Sequence, residues 1–261
     1  MFCYIDLDVD DSRGAYKRAC DFVDKNSIKY GLSTNILQEL GGREKLSIPE
    51  LVENDYTYSS KGRVQTQPQK ACRLVFELQP KDSPLAVENF VALCTGVKGK
   101  SKSSGLPLHY LGSQIHRYVP GFIMQGGDII FSNGTGGESI WGKKFKDDPK
   151  GLKLRHSKRG ILSMGNGGKN SNTSQWFITL DNETKTCDGK HVVFGQLIHG
   201  FDVLDLVQKL IQSRGGVTAD EVPPFSITVT SCGEWTPDVD AASGYWAEDD
   251  LFKQFVKSSF S

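Results

Sequence analysis

Alternating apolar and polar side chains predict a β-strand near each end of the main part of this chain. Residues 2–9 alternate and are rich in aromatic and branched side chains, and a polar turn follows at residues 10–12. This pattern is typical of a strand that is half buried in a sheet. Residues 225–232 have the same character and predict the last strand.

Apolar residues at three- and four-residue intervals predict two helices between these strands. Residues 83–93 begin with Ser83 and Pro84, which suit the cap and the first position of a helix. Residues 201–210 form the second predicted helix, with one apolar face made of Val203, Leu206, Val207 and Leu210. Each helix therefore has a face that can pack against a sheet.

Residues 11–70 predict two or three short helices and a linker. Apolar positions recur at helical spacing at Ala15, Ala19, Phe22 and Val23. Ser47 and Glu50 form a Ser-x-x-Glu capping box with Pro49 in the first turn, which predicts the start of a helix. Residues 58–70 are polar and contain Ser, Gly, Gln and Pro, so they predict a surface linker.

The C-terminal residues 236–261 carry an apolar stripe made of Trp246, Leu251, Phe252, Phe255, Val256 and Phe260. This spacing predicts a short amphipathic helix. We expect the helix to dock on this same protein, and docking on a foreign partner is the alternative.

Length and charge limit the classes of function. A chain of 261 residues makes one large domain or two small ones. Basic and acidic residues number 31 each, so no overall field attracts nucleic acid or an anionic membrane. The start of the chain has no basic leader and no long apolar run follows, which predicts no targeting peptide and no membrane span. We expect a cytoplasmic protein, with the nucleus as the alternative.

The cysteines predict neither disulfides nor a metal site. They are scattered without a Cys-x-x-Cys pair, at Cys3, Cys20, Cys72, Cys94, Cys187 and Cys232. Reduced thiols are therefore expected. Cys187 and His191 lie close in sequence, but two ligands without a second pair do not define a zinc site. We expect no metal and no cofactor.

Candidate chemistry is concentrated in residues 113–128, which read SQIHRYVPGFIMQGGD. This extended, glycine-terminated segment could aim Arg117, Phe122 and Gln125 at a single pocket. A fixed cation beside an apolar floor suits a neutral ring next to a polar amide. An X-Pro peptide presents both groups.

Three later segments accompany this one in order. Residues 133–137 read NGTGG, residues 160–178 read GILSMGNGGKNSNTSQWFI, and residues 188–195 read DGKHVVFG. In residue sequence and spacing the four segments resemble the cyclophilins, the cyclosporin-binding family of peptidyl-prolyl cis/trans isomerases. The resemblance covers residues 1–10 and 71–235.

The resemblance implies a mainly β fold, a closed barrel of eight antiparallel strands capped by two α-helices. Residues 71–78 would be the second strand, which makes residues 11–70 a partly helical insertion after the first strand. A separate N-terminal domain is the alternative, but the barrel would then lose a strand and expose an edge. We therefore expect one domain over residues 1–235, interrupted by the insertion, and an extension over residues 236–261. Residues 97–107 resemble the enlarged loop of divergent-loop cyclophilins.

The implied activity is rotation about X-Pro bonds in peptides and proteins. Amide resonance sets a barrier of ~18 to 20 kcal/mol, and an enzyme helps by holding the proline ring and favouring the twisted state. Arg117 matches the arginine that donates a hydrogen bond in that state, Gln125 matches a residue that orients it, and His116 matches a pocket wall. The matching substrate-binding residues are Val119, Phe122, Ile123, Gly134, Gly165, Asn166, Gly167, Gln175, Phe177, Cys187 and His191.

Departures from the family pattern predict weakened drug binding. Thr186 and Cys187 replace the Trp-Leu pair of the archetype, so the tryptophan that hydrogen-bonds cyclosporin is absent. Gly165 and Gly167 replace alanines, and Ile123 replaces a methionine, changes that could reshape the pocket. We expect cyclosporin to bind weakly and turnover to fall less.

Two rival functions stay open. A cyclophilin core could capture proline-containing segments as a binding module with reduced catalysis. Alternatively, Cys94 and Cys232 match a cysteine pair proposed as a switch in some divergent-loop members, which implies a redox-regulated chaperone. The glycine-rich runs lack the spacing of phosphate-binding loops. The basic residues between 143 and 159 lack interleaved aromatics, so nucleic acid is not an expected partner.

Overall fold

The computed structural model describes residues 1–68 and 72–236, which form two compact units. The first unit contains the described residues up to Leu7 and from residue 72 onward. The second contains those from Asp8 to residue 68. The apolar stripe that predicts a C-terminal helix lies outside the described residues.

Eight strands within the described residues form one antiparallel sheet. They are β1 (Phe2–Val9), β2 (Arg73–Leu78), β3 (Arg117–Val119), β4 (Ile123–Gly126), β5 (Ile161–Met164), β6 (Trp176–Thr179), β7 (Val193–His199) and β8 (Ile227–Glu234). Their order across the sheet is β3-β4-β6-β5-β7-β2-β1-β8. The mainly β fold with eight strands is therefore confirmed, and β1 pairs with β2 from Phe2↔Glu77 to Asp6↔Arg73.

The sheet is a curled half-barrel that stays open, so the prediction of a closed barrel is wrong. Its edge strands, β3 and β8, share no ladder, and an isolated bridge joins Gln114 to Thr228 just before β3. The amide of Tyr118 in β3 donates to the carbonyl oxygen of Glu221 at 2.8 Å. Glu221 belongs to the loop that precedes β8. That loop takes the hydrogen bond that a closing strand would otherwise supply.

Four α-helices lie within the described residues, two in each unit. They are α1 (Ser12–Tyr30), α2 (Gly42–Asn54), α3 (Pro84–Thr95) and α4 (Phe201–Ser213). Short 3-10 turns occur at Leu37–Glu39, Ser59–Lys61, Gly151–Lys153 and Lys185–Cys187. The two helices predicted at residues 83–93 and 201–210 are confirmed as α3 and α4. No helix in the described part of the chain has the length and apolar content that crossing a membrane would require.

An aromatic cluster joins α3 to the sheet. Phe90 of α3 packs against Phe76, Trp176 and Phe194, with ring centroids 6.1, 6.3 and 5.1 Å apart. All four side chains are buried. Side chains alternate across a strand, so the neighbour of Trp176 in β6, Phe177, lies on the other face of the sheet. The candidate site forms on that face.

The second unit has its own hydrophobic core between α1 and α2. Its buried members are Ala19, Phe22, Val23, Leu37, Leu40, Ile48, Val52 and Tyr58. Tyr58 packs edge-on against Phe22, with ring centroids 5.1 Å apart. The predicted linker therefore starts too early at residue 58, because that residue belongs to the core.

The capping box predicted at Ser47 is also wrong. Helix α2 begins at Gly42, and the carboxylate of Glu44 accepts a hydrogen bond from the Gly41 amide at 3.0 Å. Ser47 lies inside the helix and donates its hydroxyl to the Glu44 carbonyl oxygen at 2.8 Å. Pro49 is also internal. The earlier carboxylate satisfies a free N-terminal amide and so determines where the helix starts.

Candidate active site

Strand register places the candidate residues side by side on one face of the sheet. Arg117 in β3 lies opposite Gln125 in β4, and Gln125 lies opposite Phe177 in β6. Val119 lies opposite Ile123 in the same way. Because residues in register are close neighbours across strands, three strands present these side chains together.

A chain of hydrogen bonds fixes the polar half of the site. Nη1 of Arg117 donates to Oε1 of Gln125 at 3.3 Å. Gln125 donates through Nε2 to Oε1 of Gln175 at 2.8 Å. Gln175 in turn donates to the carbonyl oxygens of Gly134 and Gly136 at 2.9 and 2.6 Å. Each of the two amides has one rotation that satisfies these hydrogen bonds, so both glutamine side chains have a fixed orientation beside Arg117.

The loop that carries Gly134 is built around Asp128. Its carboxylate accepts backbone amides from Ile130, Phe131 and Gly136, each at 3.0 Å, and from Gly134 at 2.9 Å. Burial alone would raise the pKa of Asp128, but these amide donors hold that pKa below its ordinary value. The carboxylate thus stays ionised and keeps the loop carbonyls aimed at Gln175.

An apolar cluster forms the other half of the site. Ile123, Phe177 and Cys187 are buried against one another, and Val119 and Phe122 pack onto them while partly exposed. The structure therefore brings together five of the residues predicted to bind substrate. A shallow apolar floor of this kind can hold a proline ring by excluding water.

His191 lies at the edge of this cluster. Its ring meets that of Phe177 edge-on, with centroids 5.2 Å apart and planes at 84°. Burial, the largest cause, lowers the pKa of His191, so the ring is neutral at pH 7. Nδ1 lies 3.0 Å from the carbonyl oxygen of Met164, which requires the proton on Nδ1. The imidazole is therefore held as a neutral wall.

The predicted glycines and Asn166 line a second hollow beside the glutamines. This hollow measures about 290 Å³ and includes Gly134, Gly165, Asn166, Gly167, Gln125 and Gln175. Nδ2 of Asn166 donates to the carbonyl oxygen of Lys190 at 3.0 Å. A Cβ on Gly165 would lie 3.2 Å from Cβ of Gln175, whereas a Cβ on Gly167 would meet nothing closer than 4.0 Å. The absence of a side chain at Gly165 therefore leaves space for Gln175, and its absence at Gly167 leaves the rim of the hollow open.

His116 lies apart from the apolar cluster. Its buried ring lies against Gly134, where a Cβ would be 2.7 Å from Cδ2 of the imidazole. Burial, the largest cause, lowers its pKa. The ring lines a separate groove of about 340 Å³ whose far wall is Val222, Pro223, Pro224 and Phe225. The structure thus places His116 against Gly134 and outside the apolar cluster that contains Phe177.

Two contacts at the site were missed in the sequence. The Nε of Arg117 donates to Oε2 of Glu221 at 2.6 Å, and each side chain is 39% exposed. His156 stacks on Phe177 with ring centroids 5.8 Å apart. No motif marks Glu221, which lies in the loop between α4 and β8. His156 could have been flagged only as a buried histidine near the sheet.

No cluster of three or more histidine, cysteine or acidic side chains suitable for a metal ion occurs within residues 1–68 and 72–236. The residues described above supply hydrogen-bond donors and acceptors, an apolar floor and the guanidinium charge of Arg117.

The family model of cyclophilin-type peptidyl-prolyl cis-trans isomerases matches residues 63–234. The match spans β2 to β8 and includes every residue of the site described above. The chain belongs to this family. The paired strand β1 lies before the matched range and completes the sheet beside β2 and β8.

Proposed function

We propose that this chain is a peptidyl-prolyl cis/trans isomerase that acts on X-Pro bonds in peptides and proteins. The observation that carries the proposal is the position of the Arg117 guanidinium. Its Nη1 donates to Oε1 of Gln125 at 3.3 Å, and Gln125 lies in register with Phe177. Membership of the family supports isomerase function in general. No covalent step is needed, because only the resonance of one amide bond must be lost.

The proposed mechanism separates holding from twisting. Phe122, Ile123 and Phe177 hold the proline ring against the apolar floor, so that the ring stays still while the preceding carbonyl rotates. Arg117 donates a hydrogen bond to the proline nitrogen as its lone pair leaves the amide plane. This bond exists only in the twisted state, so it lowers the barrier without tightening the ground state.

The remaining residues orient this donor. The hydrogen bonds from Arg117 to Gln125 and from Gln125 to Gln175 restrict the orientation of the guanidinium. Asn166, at the rim of the second hollow, would pair its backbone with the extended peptide. Each tenfold of rate requires ~1.4 kcal/mol of stabilisation in the twisted state. A preorganised charged donor is of the right size for such a contribution.

Proposed partners are proline-containing client segments, with weak binding of cyclosporin because Thr186 offers no indole donor. The buried residues Cys3, Cys94 and Cys187 are free thiols. This supports the cytoplasm or nucleus as the proposed location, since both keep thiols reduced.

The experiment is a protease-coupled isomerisation assay on Ala-Pro and Phe-Pro peptides with the purified full chain. The proposal predicts a cis-to-trans rate that rises in proportion to enzyme concentration. Binding of the same peptides without any increase in rate would overturn the isomerase proposal and favour the binding module.

A further inference from the structure

The Arg117 side chain is held from two directions. Gln125 accepts from Nη1 at 3.3 Å, and Glu221 accepts from Nε at 2.6 Å. Among the described residues, Nη2 has no hydrogen-bond partner. A planar guanidinium fixed at two of its corners has one direction in which its last nitrogen can point.

The backbone around Glu221 is built to hold that residue in place. The amide of Thr218 donates to the carbonyl oxygen of Val222 at 3.0 Å, and the Val222 amide donates back to Oγ1 of Thr218 at 3.1 Å. The Glu221 amide donates to the Thr218 carbonyl oxygen at 2.9 Å. The loop over residues 218–222 is therefore closed by three bonds.

Glu221 itself has φ 61°, in the left-handed region that a side chain with a Cβ seldom adopts. Its carbonyl oxygen accepts the amide of Tyr118, the residue next to Arg117, at 2.8 Å. The loop is thus joined to β3 through both the main chain and the carboxylate. Unfavourable backbone geometry that surrounding bonds maintain is a feature of functional positions.

Exposure argues against a role in stability for this ion pair. Both side chains are 39% exposed, and pairs of this kind contribute little to the free energy of unfolding. The ion pair can instead fix the direction of the Arg117 guanidinium. Direction matters because the prolyl nitrogen of the twisted state has one neutral lone pair, and a donor must be aligned with it.

We propose that Glu221 is a positioning residue for catalysis, which holds Nε of Arg117 so that the free corner of the guanidinium points at the twisted prolyl nitrogen. This inference rests on the proposed isomerase function. Glu221 touches no substrate atom and acts through Arg117 alone.

The test compares four single variants of the full chain with the wild type. Glu221→Ala removes the acceptor, and Glu221→Gln keeps an oxygen acceptor without the charge. Glu221→Gly removes the side chain at a positive φ, and Asp220→Asn removes the neighbouring charge. Asp220 is exposed, and within the described residues it takes part in no hydrogen bond or ion pair. Exchange spectroscopy on an Ala-Pro peptide gives kcat at saturation and KM separately.

The expected result for Glu221→Ala is a fall in kcat of about threefold to fivefold with KM and Tm unchanged. Glu221→Gln should recover at least about half of the wild-type kcat, because its amide oxygen still accepts from Nε. Asp220→Asn should match the wild type. Glu221→Gly, which suits a positive φ, should lose as much kcat as the alanine variant and so separates loop strain from loss of the carboxylate.

A double-mutant cycle identifies the route. In an Arg117→Ala background, Glu221→Ala should have no further effect on kcat. Unchanged kcat in Glu221→Ala, a rise in kcat, or an equal loss in both backgrounds would each overturn the inference. An inactive wild type would instead overturn the proposed function, so the two failures are distinguishable.

Discussion

The imidazole of His156 stacks on the ring of Phe177, with centroids 5.8 Å apart and planes at 18°. Nδ1 of His156 lies 2.9 Å from Oδ1 of Asp188, and Nε2 lies 3.0 Å from Oγ of Ser163. One buried histidine therefore joins β5, β6 and the turn that carries Cys187. The floor of the candidate pocket depends on this support.

Acid should destabilise the fold through its buried histidines. Burial, the largest cause, lowers the pKa of His116, His156 and His191 from the ordinary value of 6.5. A histidine with a lowered pKa in the folded state binds its proton more readily when unfolded. Its stabilising effect is complete above pH 6.5 and is lost as the pH falls from there through the folded pKa.

The measurement is the free energy of unfolding by urea between pH 7.5 and pH 5. We expect it to fall continuously below pH 6.5. His156→Gln should show a shallower fall, because one of the three titrating groups is gone. Stability that stays level from pH 7.5 to pH 5 would show that these rings are not held neutral.

Cyclosporin should bind this chain more weakly than it binds a cyclophilin with tryptophan at the position of Thr186. A threonine supplies neither the indole donor nor its apolar area. Thr186 is exposed, so a larger side chain can be introduced there. Calorimetric titration should show tighter binding for Thr186→Trp than for the wild type. Equal affinity in the two proteins would mean that this position does not contact the drug.

Residues 11–70 should be removable if a short turn rejoins residues 10 and 71. Residues from Asp8 to 68 pack around their own core, whereas β1 pairs with β2 through Phe2–Asp6. A shorter connection also closes at lower entropic cost, by ~0.6 kcal/mol per halving. We expect the shortened chain to melt cooperatively and to keep its peptide turnover.

Deleting residues 1–70 should unfold the protein, because the sheet loses β1 from between β2 and β8. Circular dichroism and gel filtration would compare the two deletions. A folded, active fragment that starts at residue 71 would instead establish a separate N-terminal domain.

Peroxide should react slowly with the cysteine pair of the redox hypothesis. Burial is the main cause that raises the pKa of Cys94 well above its ordinary value and that of Cys232 to about 12. The thiolate is the reactive form, and little of it exists at neutral pH. Cys20 is partly exposed and serves as the internal comparison.

Peptide mass spectrometry after brief treatment at pH 7 should find Cys20 oxidised before Cys94 or Cys232. Isomerase activity should persist at that stage. Two results together would favour redox regulation. The wild type would lose activity as Cys94 and Cys232 are oxidised, and the Cys94→Ser/Cys232→Ser variant would keep its activity under the same treatment.

The sequence predicted the part of the site that strand register determines. One extended segment predicts that Arg117 and Gln125 share a pocket, and the resemblance to the cyclophilins adds Phe177. Pairing of β3, β4 and β6 brings the three side chains together. Glu221 could not be predicted in the same way. Its position depends on a positive φ and on a loop closed by Thr218, and neither leaves a periodic signal.

The errors of prediction have the same physical origin. At the open edge of the sheet the amide of Tyr118 bonds to the carbonyl oxygen of Glu221 in a loop, a partner that no strand pattern reveals. At α2, Ser47 and Glu50 have the residue types of a capping box. The helix nevertheless starts earlier, where the Glu44 carboxylate accepts the Gly41 amide. Local preference is outweighed where several acceptors compete for one helix end.

The role of Arg117 as the donor to the twisted amide is the central claim, and the Arg117→Ala variant tests it most directly. Exchange spectroscopy on a saturating Ala-Pro peptide measures turnover, while titration of the same peptide measures its affinity. The account predicts that kcat/KM falls by at least about tenfold, with the melting curve unchanged and peptide affinity altered far less. Wild-type turnover in a variant with an unchanged melting curve would contradict it.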